Sequence, residues 1–353
     1  MFSIVTTQKI LEILYLDDSV WGDIVSQTKC FYVQYESKWW EDDDLTPLMQ
    51  LSNSQADIRN GEDIFNNFDK HPEVIAMYPS SVFILDIDEN EAASLQRRFG
   101  VIVQSFQHLD DTILTSVSRK DIYTEKDDSD LGWDYVFNGV SDIPVNAVII
   151  NDRNLFSNDQ VIKDKDGNVT QNRLSGVKNV GSILNAILPK TLEVPFHVLI
   201  VCDKAGIEKR LTVKNLITYL NDIKKELKKQ LNIQYHIVME LLAVSSQSML
   251  YENTHNRRIL TNYALLTFDH KINAFDGKRS TATQRITINK LFSYEHLKEM
   301  SPFVKEYNRQ LKNLREYKEY VKDTPSLSLA EHEFAKDGRD GLRFNKSEHR
   351  MIF

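Results

Sequence analysis

Five segments in the second half of this 353-residue chain alternate between strand-like and helical hydrophobic periods, and that alternation limits the fold more than any other feature. Residues 145–150 form a continuous apolar run that stops at Asn151-Asp152-Arg153. Residues 176–188 read as a helix stopped by Pro189, and 196–201 are again a continuous run, ending at Cys202-Asp203. Thr212 is an N-cap for a helix with Val213, Leu216, Ile217, Leu220, Ile223 and Leu227 on one face, and 233–241 is a third strand. Residues 257–266 read as a fourth strand. Strands apolar on both faces, separated by amphipathic helices, build a mostly parallel sheet flanked by helices.

The first half is patterned less regularly. Ile10, Leu11, Ile13 and Leu14 mark an amphipathic stretch, and 29–40 read as a strand or hairpin closed by the acidic run Glu41-Asp42-Asp43-Asp44. Residues 51–70 are polar and suggest loops between short helices. A β–α–β unit follows: a strand at 81–86, a helix at 88–98 that turns Ala92, Leu95 and Phe99 inward, and a strand at 101–103. Residues 119–134 are charged and unpatterned. Ser301-Pro302 opens a long helix with Phe303, Tyr307, Leu311, Leu314 and Val321 on its apolar side and Lys305, Arg309, Lys312, Arg315 and Lys318 on other faces. The expected layout is an acidic α/β or α+β region over 1–118, a linker at 119–143, an α/β module at 144–292, a basic helical extension at 293–323 and a tail at 324–353 with short apolar anchors.

Charge is distributed unevenly along this layout. Residues 1–150 carry 27 acidic and 10 basic side chains, whereas the rest carry 24 and 33. The second half therefore has the electrostatics of a nucleic-acid partner, unless the two halves simply dock on each other. With 41% hydrophobic residues the chain can bury a substantial core, and no apolar run reaches the roughly 20 residues that span a bilayer. Cys30 and Cys202 lack metal-ligand spacing and read as reduced thiols. A first stretch without a basic leader fits a cytoplasmic protein with no membrane partner.

Thr254-His255-Asn256-Arg257-Arg258-Ile259-Leu260-Thr261-Asn262 contains His-x-Arg followed after four residues by Asn. This frame resembles the His-x-Lys-x4-Asp motif of the phospholipase D superfamily, with Arg for Lys and Asn for Asp. The resemblance covers roughly residues 144–292 and implies a phospholipase D-like α/β module. It implies His255 as nucleophile, Arg257 as phosphate clamp and Asn262 as orienting partner, with no metal or other cofactor required. Active members pair two such motifs; this chain has one, so activity would require a homodimer or a larger complex bringing two copies of His255 together. The implied function is a nucleic-acid-directed phosphodiesterase, of a type that recurs in bacterial defence against phage. A degenerate motif, lacking the carboxylate, equally implies a binding subunit or adaptor for nucleic acid or a protein partner.

Around this motif, Arg258, Lys271, Lys204, Arg210, Lys224 and Lys228 are candidates for a phosphate-tracking surface, although lysines on one helix face are more often simply solvated. Asp152 and Arg153 lie just past a strand end, where open α/β sheets place ligands. A third reading is a nuclease using Mg²⁺ or Mn²⁺ held by N-terminal carboxylates: Asp86 and Asp88 past a strand end, Asp111, and Asp17 past a stretch at 14–19 that itself looks like a strand ending in acids. The competing explanation is that helix N-termini attract acids. No Walker A or dinucleotide fingerprint is present.

Overall fold

The chain begins with a strand. β1 (Ser3–Thr7) is buried along most of its length and leads directly into α1 (Gln8–Tyr15), with Thr7 as N-cap. The computed structural model describes residues 2–35, 47–163, 165–166, 169–208, 211–244, 255–298, 301–323, 332–336 and 349–352. The acidic run 41–44, Arg210 and most of the tail lie outside the described residues.

After α1 come α2 (Val20–Gln27), β2 (Cys30–Gln34), α3 (Pro47–Asn53), β3 (Asp57–Asn60), α4 (Glu62–Phe68), β4 (Ser81–Leu85), α5 (Glu89–Phe99), β5 (Ile102–Ser105) and α6 (Thr112–Thr115). The strands form a parallel sheet in the order β3-β2-β1-β4-β5. Period-2 alternation splits their side chains between two cores. Val5, Phe83, Leu85 and Val103 meet α4 and α5, while Ile4, Val33, Val82, Ile84 and Ile102 meet α1, α2 and α3. In α5 the Asp88 carboxylate accepts from the Asn90 and Glu91 N–H groups, and Ala92, Leu95 and Phe99 turn inward as their spacing predicts. Gly100 ends α5 at φ 66°, and a Cβ there would stand 2.5 Å from the Val145 carbonyl oxygen.

The second sheet begins earlier than the sequence suggests. β6 (Arg119–Thr124) pairs with a strand some 160 residues later, and α7 (Trp133–Asn138) buries Trp133, Val136 and Phe137. Residues 119–143 are therefore not a linker. Ile122 is the one large apolar side chain that β6 buries, and the charged residues Arg119, Lys120 and Asp121 suit an edge strand. There follow β7 (Ala147–Asn151), β8 (Gln160–Lys163), β9 (Val169–Arg173), α8 (Ser175–Ile187), β10 (Phe196–Asp203), α9 (Lys204–Glu208), α10 (Val213–Gln230) and β11 (Ile237–Val244). Then come β12 (Arg258–Thr261), β13 (Ala264–Phe268), β14 (Phe275–Asp276), β15 (Arg279–Ser280), β16 (Gln284–Lys290), α11 (Tyr294–Lys298), α12 (Pro302–Asp323) and β17 (His332–Lys336). The order is β17-β11-β10-β7-β12-β13-β16-β6, parallel across β11, β10 and β7 and antiparallel elsewhere. The protein is thus α/β, with one parallel and one mixed sheet. The expected fourth strand is a hairpin, β12–β13, with Asn262 and Tyr263 at its turn. The stretch 14–19 is the end of α1 and the loop after it, not a strand.

The two sheets share one core. Val148, Ile150, Val198 and Ile200 face α7, α8 and α10; Ala147, Ile149, Leu199, Val201, Leu260 and Leu265 face the first unit and α12. The seam is built mainly of apolar side chains, with the Arg98–Glu193 ion pair at its rim. No described helix is long and apolar enough to cross a membrane.

Residues 349–352 enter the same seam, burying Met351 and Ile352. His349 is fully buried, its Nε2 lying 3.0 and 3.2 Å from the carbonyl oxygens of Val148 and His197, which makes Nε2 the protonated nitrogen. Burial pushes its pKa down to about 4. A histidine depressed below the unfolded value of about 6.5 contributes stability above that pH and loses it as pH falls toward the folded value. Between pH 7 and 4 this single group removes on the order of 3 kcal/mol. His349→Gln, which keeps a donor, is expected to flatten that loss in denaturant titrations across the range.

Candidate functional site

The carboxyl ends of β7 and β10 and the start of β12 lie side by side: Asn151 pairs with Val201 on one side and Arg258 on the other. Beyond them the β7–β8 connection, the first turns of α8 and the loop after β13 enclose a cavity of 740 Å³. Its cations are Arg173, Lys178, Arg257 and Lys271, with His270 beside them. Open α/β sheets bind ligands at this edge.

Two buried carboxylates shape the cavity. Asp152, 2% exposed, accepts from the Asn154 N–H at 2.8 Å and the Ile272 N–H at 3.2 Å, which ties the loop bearing His270 and Lys271 to the end of β7. Burial raises its pKa, opposed by those two N–H groups and by the charges of Arg257 and Arg153. Asp159 caps α8, accepting from the Ser175 hydroxyl and from the Gly176 and Val177 N–H groups at 3.1, 2.8 and 2.9 Å. The start of α8 is thus already satisfied by the protein's own carboxylate. Anion affinity in the cavity has to come from its side chains.

Strand alternation sends neighbouring arginines to opposite faces. Ile259 faces the α8 side, and Arg257 enters the cavity on that side. Arg258 turns to α12 and pairs with Glu306, which also holds Arg309 and Gln310. Arg258, expected to bind phosphate, is a structural ion pair on the far face. Lys271 stays with the cavity, its Nζ 3.5 Å from the Thr281 carbonyl. Lys204 opens α9 after β10, outside the cavity lining. Lys224 and Lys228 stand one turn apart on α10, and burial followed by the charges of Lys228 and Lys225 pushes Lys224 down to about 8. They too lie outside the lining of this cavity, and Arg210 is not among the described residues.

The motif also divides. The Arg153 guanidinium meets Nε2 of His255; a guanidinium can only donate, so that Nε2 is an acceptor and its lone pair is engaged. Asn262 is at the other end of β12, beyond a four-residue strand that spans roughly 13 Å. There it is fully buried. Its Oδ1 accepts from the Asn146 and Ala147 N–H groups at 3.2 and 3.1 Å, and its Nδ2 donates to the Gly100 carbonyl and to Asn146 Oδ1 at 3.1 and 3.0 Å. Asn262 therefore does not orient His255; it fastens the hairpin to the first unit.

Of the N-terminal carboxylates, Asp86 accepts from Gln107 Nε2 at 3.0 Å and Asp88 caps α5, while Asp111 stands at the start of α6 and Asp17 follows α1. Among the described residues no three His, Cys, Asp or Glu side chains gather to hold a metal ion.

Arg173 and Lys178 were not singled out from sequence. The available signal was position: both cations flank the start of the helix that follows β7. No family model matches the chain, and no curated protein matches it significantly.

Asn262→Asp supplies the carboxylate of the His-x-Lys-x4-Asp frame but removes both donated bonds and sets oxygen against oxygen in a buried site. It is expected to lower stability by about 3 kcal/mol, read by thermal or denaturant unfolding, without creating activity.

Proposed function

We propose that this chain is a nucleic-acid-binding module that grips phosphodiester groups in the cavity at the β7–β12 edge. The observation that carries the reading is the convergence of Arg173, Lys178, Arg257 and Lys271 on one 740 Å³ space, beside a carboxylate, Asp152, whose pKa burial raises. Arg257 supplies a planar fork for two phosphate oxygens, and Lys271 and Lys178 supply point charges.

A hydrolytic reading keeps His255 as nucleophile, favoured by its exposed position two residues before Arg257. Against it stand the engaged Nε2 and the distant Asn262. Labelled single- and double-stranded DNA and RNA, incubated in EDTA with the protein and with His255→Ala, separate the two. Binding without cleavage by either supports the module; cleavage that disappears in the mutant overturns it in favour of a metal-independent phosphodiesterase.

Affinity is expected to fall steeply with salt, because each neutralised phosphate releases counterions. Arg257→Ala should weaken binding about tenfold and reduce the slope of log K against log salt by about one. Arg258→Ala should leave that slope unchanged and lower the unfolding midpoint, since its partner is Glu306.

A further inference from the structure

The cationic cavity has a continuation. A second cavity of 500 Å³ runs between α8, α10 and the β14–β15 hairpin, and Lys178, Ser182, Asp276 and Gly277 line both spaces. Gly277 makes the hairpin tip, at φ 61° with nothing within 4 Å of a Cβ built there, so the groove is open on that side. Along α8 the two cavities extend from Leu174 to Asn185, about 16 Å at roughly 1.5 Å per residue. Each space is the size of a small-ligand site, and together they exceed one nucleotide.

The two ends differ in chemistry. The first carries four cations, Arg173, Lys178, Arg257 and Lys271, against the buried Asp152 and, at the junction, Asp276. In the second, Lys178 and Lys278 stand at the junction and on the hairpin, whereas α7 and α10 present Asp134, Glu226 and Gln230. Carboxylates repel phosphate but accept hydrogen bonds from the exocyclic amines of adenine, cytosine and guanine, which thymine and uracil lack. Resting on the phosphodiester reading above, we propose that the groove along α8 binds a short single strand. Its phosphates lie over Arg257, Lys271, Lys178 and Lys278, and amine-bearing bases turn toward Glu226 and Asp134. In a duplex each amine spends one hydrogen on pairing and keeps the other inside a groove, so a single strand, with its whole base edge free, fits this groove better.

Fluorescence anisotropy with labelled dC and dT oligomers of two, four, six and ten nucleotides tests this on the whole chain. Affinity should climb with length and level off at about five nucleotides, the number that stack in 16 Å at roughly 3.4 Å each. At the plateau dC should bind about tenfold tighter than dT. Asp134, Lys178, Glu226 and Lys278 are exposed, so substituting them leaves the core intact. Asp134→Ala with Glu226→Ala should bring dC and dT within about twofold, while Lys178→Ala with Lys278→Ala should weaken both alike. Equal affinity for dC and dT in the unmodified protein, discrimination that survives the loss of both acids, or no gain beyond two nucleotides overturns the groove and leaves the phosphate site standing. Absence of all binding overturns both.

Discussion

Two residues at the turn of one hairpin hold the architecture together. Asn262 uses both ends of its amide on the start of β7 and on Gly100. The Tyr263 hydroxyl lies 2.5 Å from the Ser81 carbonyl and accepts from the Ile102 N–H at 3.0 Å, reaching two neighbouring strands of the first sheet. From α12 the Tyr307 hydroxyl lies 2.8 and 2.9 Å from the carbonyls of Thr261 and Asn262. All three side chains are fully buried, so each bond exists where an unmade one is costly. Both sheets and the long helix are positioned relative to this turn.

The cavity depends on that positioning. With the hairpin fixed at its turn, its other end is fixed as well, and there Arg257 and Arg258 part to opposite faces. Asp152 and Asp159 then divide the local donors: one takes the N–H groups of the neighbouring loops, the other those of α8. Charge at the sheet edge is left to long flexible side chains. Such a site tolerates variation in the ligand more readily than a ring of fixed backbone donors does.

The sequence was legible where one hydrophobic period runs without interruption. α5, α8, α10 and the buried face of α12 were readable because inward positions recur every three or four residues, and β7 and β10 because both faces are apolar. β1 was missed because Thr6 and Thr7 shorten its apolar run, although Thr6 is fully buried and its hydroxyl donates to the Ile84 carbonyl. β6 was taken for a linker because an edge strand buries alternate residues only. The motif's members part for a geometric reason: an extended chain carries residues seven apart to opposite ends of a strand, so His255 and Asn262 share a frame but stand at opposite ends of β12. Arg173 and Lys178 come from a different connection and converge with Arg257 only through the sheet, a relation that linear spacing does not encode.

β6 has a consequence for how the molecule forms. It precedes every other strand of its sheet in the chain, yet it pairs with β16, register partners such as Ile122 and Ile286 being separated by most of the second unit. Closing a loop of that length costs entropy before any ladder bond repays it. The first unit can assemble from local β–α contacts, whereas the second sheet keeps an open edge until its own beginning is recaptured. During that interval the β16 backbone is a template for another chain's strand, and beyond Ile122 the polar side chains of β6 give the rightful partner little hydrophobic advantage in the competition.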